Sequence, residues 1–133
     1  MSTTEPHKRI LVAEDNVAML GVIRYNLDKA GFDVTTAKTG QTAWDLLQQD
    51  TFDLLITDFQ MPGLTGGEVC ERIRRDPRLA QMPVFLLTAK GLELDEDYYL
   101  RQLSVGAIIT KPFSPRELVQ TVQSCFVEGV VRV

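Results

Sequence analysis

The chain has 133 residues, 44% apolar and 24% charged, with a net charge of −4; that balance suits one compact domain with its own core and excludes a disordered or fibrous chain. An acidic chain with no Lys/Arg block argues against nucleic acid as a partner, because such binders carry a basic stripe that displaces counterions. The longest apolar runs, such as Pro83 to Leu87, are far too short to span a bilayer, and the start Met1-Ser2-Thr3-Thr4-Glu5-Pro6 has no signal pattern.

Four short apolar runs rich in branched residues are expected to be strands buried on both faces of a parallel sheet: Ile10 to Ala13, Leu54 to Thr57, Val84 to Leu87 and Ala107 to Thr110. A weaker alternating run, Phe32 to Ala37, reads as an edge strand. Helical patterns fall between them, at Val17 to Ala30, Gln41 to Gln49, Gly66 to Arg75, Leu92 to Leu103 and Pro115 to Val127. In the first of these, Leu20, Ile23, Leu27 and Ala30 share one arc, and Gly31 stands where a C-terminal cap belongs. The last opens Ser114-Pro115-Arg116-Glu117, with a capping serine, a proline at the first helical position and a glutamate three residues after the cap.

The succession is β-α repeated five times, and right-handed crossovers then place helices on both sides of the sheet. The predicted architecture is an α/β, flavodoxin-like, doubly wound five-stranded parallel sheet of order 2-1-3-4-5 with five helices. The domain is expected over residues 8–127, with tails at 1–7 and 128–133; the apolar end Val130-Val131-Arg132-Val133 has no assigned role, and no second domain fits in it. Cys70 and Cys125 show no CxxC spacing and read as reduced structural thiols, which points to the cytoplasm.

In such a sheet the ligand site lies beyond the carboxyl ends of the strands. The first strand ends in Glu14-Asp15 and the third in Asp58, so three carboxylates converge. Like charges that close call for a cation or a proton. A donor set of oxygens alone favours a hard ion, and a small open site that keeps waters favours Mg²⁺ over Ca²⁺. Thr88 and Lys111 end the fourth and fifth strands at the same edge. Taken singly, these acids fit helix caps or loops, Thr88 an N-cap and Lys111 a surface lysine; all five at one edge argue for a site.

The segments Ala13-Glu14-Asp15-Asn16, Ile56 to Gly66, Leu87-Thr88-Ala89-Lys90 and Thr110-Lys111-Pro112-Phe113 resemble, in order and spacing, the signature motifs of two-component response-regulator receiver domains. The resemblance implies a switch of a histidine-aspartate phosphorelay, a phosphoacceptor that assists its own phosphorylation and dephosphorylation rather than an enzyme of other substrates. Asp58 would take a phosphoryl group from a phosphohistidine. Asp15, Asp58 and the backbone carbonyl of Gln60 would hold Mg²⁺, with Glu14 reaching it through water. Thr88 would donate its hydroxyl to a phosphoryl oxygen, and Lys111 would pair with the phosphoryl charge.

Further features follow from the same likeness. The bond before Pro112 resembles one that the family holds in cis, which would aim the Lys111 side chain. Gly63 and Gly66 would let the loop after Asp58 turn tightly. Met19 and Val22 extend the apolar arc of the first helix and resemble positions presented to a histidine kinase or a histidine phosphotransfer protein; the downstream protein target is unknown. Ile108 stands three residues before Lys111, where receivers usually carry an aromatic ring that turns inward on phosphorylation. A stiff branched chain there predicts a smaller or differently placed rearrangement.

Three other readings compete. A flavin-binding electron carrier needs a Ser/Thr/Gly-rich loop after the first strand, where this chain has Glu14-Asp15-Asn16. A phosphatase with an aspartate nucleophile would resemble its class by a DxD motif at the first strand. A pseudo-receiver, an interaction module without phosphorylation, is the closest alternative; the permitted residue types at all five site positions argue against it, with Glu14 in place of the commoner aspartate as a mild departure.

Overall fold

A computed structural model describes residues 7–127, so the expected tails lie outside the described residues apart from His7. The strands are β1 (Arg9–Ala13), β2 (Asp33–Ala37), β3 (Leu54–Asp58), β4 (Val84–Ala89) and β5 (Ala107–Lys111), all parallel and ordered β2-β1-β3-β4-β5. The helices are α1 (Val17–Lys29), α2 (Gly40–Gln49), α3 (Gly66–Arg75) and α4 (Pro115–Cys125), with a π-helical turn, Tyr98–Gln102, between β4 and β5. This is the predicted flavodoxin-like arrangement with five helical segments, although the fourth is a single turn.

Alternation along the strands builds two cores. Ile10, Val12, Leu54, Ile56, Phe85 and Leu87 pack with Leu20, Ile23 and Leu27 of α1 and Leu118 and Val122 of α4. Leu11, Ala13, Leu55, Val84 and Leu86 face the other way, onto Ala43 and Leu47 of α2 and Val69, Cys70 and Ile73 of α3. β1 and β3 are almost entirely buried, as their unbroken apolar runs require. Each fully buried Leu or Ile contributes about 1.5–3 kcal/mol of transfer free energy, so these two strands carry much of the stability.

Local signals set the boundaries. Asn16 caps α1 by accepting from Met19 N–H at 2.9 Å. Gly31 follows the helix with φ of 100°, but Ala30 is the exposed C-cap residue and does not extend the buried arc. Ser114 caps α4 through Glu117 N–H, with Pro115 in the first turn as expected. The full reciprocal capping box is at Thr65 and Glu68, which start α3. Cys70 is buried and Cys125 partly so, with no disulfide between them.

Two expectations change. The helix anticipated over Leu92 to Leu103 is cut to its last part. Gly91 takes φ of 84°, and the Asp95 side chain accepts from Tyr98 N–H, so helical structure restarts only there. β5 was expected to be buried on both faces, yet Ala107, Ile108 and Ile109 are half-buried and Thr110 is exposed. It is an edge strand, with only a short helical turn between it and β4.

Candidate functional site

Strand register brings the carboxylates together. Ala13 lies beside Thr57 across β1 and β3, so the next residues, Glu14 and Asp58, leave the sheet side by side. On the other flank of β3, Asp58 is level with Leu87, and one step further Thr88 and Ala89 are level with Thr110 and Lys111. The five site residues expected from the sequence therefore do lie at one edge.

Each is held by its own local structure. Glu14 N–H donates to Ala37 O at 3.0 Å, and its side-chain Oε2 accepts from Asn16 N–H at 3.1 Å. The residue that caps α1 thus also fixes the glutamate. The Thr57 hydroxyl donates to the Asp58 carbonyl at 3.0 Å. A Cβ on Gly66 would lie 1.9 Å from that same carbonyl oxygen, so glycine is required for the start of α3 to come this close to the end of β3.

Lys111 is the cation of the cluster. Although β4 lies between β5 and β3 in the sheet, its ammonium is 2.9 Å from Glu14 Oε1 and 3.3 Å from Asp58 Oδ2. The peptide bond between Lys111 and Pro112 is cis. Burial opposes the charge on Lys111, but the hydrogen bond to Glu14 and the nearby charges of Asp58 and Glu14 outweigh it and raise its pKa. Asp58 is 8% exposed; burial first, then the charges of Glu14 and Asp15, raise its pKa against the opposing pull of Lys111.

One ammonium does not neutralise three acids. Carboxylate oxygens of Glu14, Asp15 and Asp58 all lie within 4.8 Å of one another, two of the residues buried and Asp15 exposed. Such an all-oxygen set, open on the Asp15 side, fits a hard divalent ion that keeps part of its water shell. Gln60 is exposed in the turn two residues past Asp58. The Thr88 hydroxyl is buried without a hydrogen-bond partner among the described residues, a state that ordinarily penalises a buried polar group unless a ligand satisfies it.

Two residues called from the first helix lie close to this edge. Met19 and Val22 line a hollow of about 290 Å³ with Asn16, Ala18, Phe113 and Pro115, and Val22 is 44% exposed. The sequence reading missed Phe113 and Pro115 as its other wall, since nothing local in the chain ties residues 113–115 to α1. It also missed Val17 and Tyr25, which are large, apolar and exposed on the same helix. Ile108 is half-buried against the core formed with α2 and α3.

A sequence model of the response regulator receiver domain matches residues 10–123. The phosphate regulon transcriptional regulatory protein PhoB of Rhizobium meliloti (strain 1021) is 40% identical over 118 residues, 87% of this chain and 51% of that protein. The alkaline phosphatase synthesis transcriptional regulatory protein PhoP of Bacillus subtilis (strain 168) is 38% identical over 112 residues, 84% and 45% of the two chains. The chain thus spans about half the length of these curated relatives. Among solved structures, the chemotaxis response regulator CheY4 of Vibrio cholerae superposes with a TM-score of 0.80 at 25% identity, covering 90% of this chain and 98% of that one.

Proposed function

The chain belongs to the response regulator receiver domain family, and from that premise we propose that it is a phosphorylation-dependent switch with Asp58 as its phosphoacceptor. The observation that carries this reading is the joint placement of a buried aspartate, two further acids, a lysine and an unpartnered threonine hydroxyl at one strand edge. Glu14, Asp15, Asp58 and the carbonyl of Gln60 are the groups that would hold Mg²⁺, Glu14 through water. When bound, the ion supplies positive charge to the phosphoryl oxygens and lowers the repulsion among the acids.

A carboxylate oxygen of Asp58 displaces the histidine ring nitrogen at phosphorus, so the P–N bond breaks as the new P–O bond forms and the ring nitrogen takes up a proton. Little covalent work is asked of the protein. Lys111 moves its charge from Glu14 to the phosphoryl group, and Thr88 turns its free hydroxyl to a phosphoryl oxygen. Both groups favour the phosphorylated form, which is how the modification shifts the population of conformers.

The donor is a histidine kinase or histidine phosphotransfer protein, and the hollow formed by Met19, Val22, Phe113 and Pro115 beside the site is where its helix would seat. The output is altered binding of a downstream protein. Among the described residues no helix is long and apolar enough to cross a membrane, and the acidic balance of the chain argues against this domain itself gripping a phosphate backbone.

Phosphotransfer from a phosphohistidine donor tests the reading. The wild-type chain takes the label and Asp58→Asn does not. Val22→Glu slows transfer from the protein donor by roughly tenfold or more, as expected for an anchor at the centre of an interface, while leaving phosphorylation by a small acyl phosphate intact. Equal loss of both reactions removes the docking role; label retained by Asp58→Asn removes the phosphoacceptor.

A further inference from the structure

A switch must link the phosphorylated end of β3 to a surface element, and Ile108 is a poor link, being branched, stiff at χ1 and without a hydroxyl. Another set of side chains runs outward from the site. Phe59 follows Asp58 directly, and its backbone is tied at both ends. Its N–H donates to Leu87 O at 2.7 Å, and its carbonyl accepts from Gly66 N–H at 3.0 Å. Phe59 is therefore coupled through its backbone to β4, one residue before Thr88, and to the start of α3.

That ring stands edge-on to Tyr99, with centroids 5.3 Å apart and planes at 85°. Tyr99 in turn stands edge-on to Tyr98 at 5.0 Å and 78°, and the Tyr98 hydroxyl donates to Glu71 Oε2 on α3 at 2.9 Å. A Cβ on Gly67 would lie 2.7 Å from the Tyr99 hydroxyl and 2.8 Å from the Phe59 ring, so glycine admits both rings against α3. At the far end is the π-helical turn, in which no residue is fully buried. Segments anchored by half-buried contacts open at low free energy, and π-helical irregularities recur where function needs them.

We infer that Phe59, Tyr99 and Tyr98, latched on Glu71, form the link by which phosphorylation of Asp58 is read out at the π-helical turn, in place of the β5 position filled by Ile108. The inference rests on the phosphoacceptor reading above. As Thr88 and Lys111 close on a phosphoryl group at Asp58, the end of β3 shifts and carries Phe59 with it, because its N–H is bonded to Leu87 O, next to Thr88. Each aromatic edge contact biases an equilibrium by roughly two- to tenfold, so displacing the Phe59 ring weakens the seating of Tyr99, and the Tyr98 latch then sets how far the turn opens.

Hydrogen exchange followed by mass spectrometry, with and without a small acyl phosphate and Mg²⁺, tests the link on the whole chain, the intact mass giving the phosphorylated fraction. In the wild type, phosphorylation raises exchange across residues 98–105 by roughly threefold or more. Phe59→Leu still gains one phosphoryl group but loses that response. Tyr98→Phe exchanges faster there before phosphorylation, by roughly three- to tenfold for one lost part-buried hydrogen bond. Glu71→Gln, which keeps an acceptor oxygen, behaves like wild type, and Glu71→Ala behaves like Tyr98→Phe. A phosphorylated wild type with unchanged exchange at 98–105, or a full response in Phe59→Leu, overturns the link alone. A wild type that gains no phosphoryl group overturns the phosphoacceptor reading and the link with it.

Discussion

The two flanks of the site are built differently. On one side, β1 and β3 are packed on both faces, and Glu14 and Asp58 emerge from them as buried charges. On the other, β5 is a half-buried edge and the helical structure between β4 and β5 is one short segment ending in the π-helical turn Tyr98–Gln102. Close-packed strands hold reacting groups to a fixed geometry, whereas thinly covered ones rearrange at little expense. The contrast teaches that one sheet combines a rigidly packed centre with a thinly covered β5 edge, and in the proposed switch the first would place the chemistry and the second would move in response.

The largest expected effect tests that contrast in stability. Leu55→Ala, in the fully buried middle of β3, should lower unfolding free energy by about 3–4 kcal/mol, and Ile109→Ala on β5 by only about 1–2 kcal/mol. Denaturant titration of both variants measures the difference, and equal losses would erase the distinction between the flanks.

Next in size is the lysine that bridges them. Lys111→Ala leaves the buried Glu14 carboxylate without its ammonium, and breaking such a pair should destabilise the chain by about 2 kcal/mol, part of which returns on adding Mg²⁺. Thermal melts with and without the ion check this. A melting temperature indifferent to both the substitution and the ion contradicts the charge balance drawn for the site.

The smallest effect has the opposite sign. Asp58 binds its proton more tightly in the folded chain than in the unfolded one, so its ionised form opposes folding. That penalty is fully present above the folded pKa and disappears as pH falls below the ordinary carboxyl value of 3.8. Asp58→Asn should therefore melt a few degrees higher than wild type at neutral pH without Mg²⁺, with the gain fading under acid. A lower melting temperature at neutral pH would show that the carboxylate is stabilised rather than strained.

Much of this was legible in the sequence because it is local. Unbroken branched runs announced β1, β3 and β4; Ser114-Pro115 announced the start of α4; and the acids at the strand ends, with Thr88 and Lys111, announced the cluster at that edge. The unread parts depend on contacts between distant residues or on competing local signals. Leu92 to Asp97 has the composition of a helix, but Gly91 in the left-handed region and the Asp95 cap on Tyr98 delay its start. The apolar run of β5 looks like those of the central strands, and only its place at the sheet edge leaves it half-exposed. The motifs put Lys111 and Glu14 at one edge without giving their ion pair, and nothing in the sequence signals the pairing of Tyr98 with Glu71.

In the proposed switch Asp58 accepts a phosphoryl group with the help of a divalent ion. Intact-mass measurement after incubation with a small acyl phosphate and Mg²⁺, followed by peptide localisation, tests it most directly. One phosphoryl group per chain is expected, carried on Asp58, sharply reduced when Mg²⁺ is chelated and absent in Asp58→Asn. No gain in mass, or a gain that persists in Asp58→Asn, would contradict it.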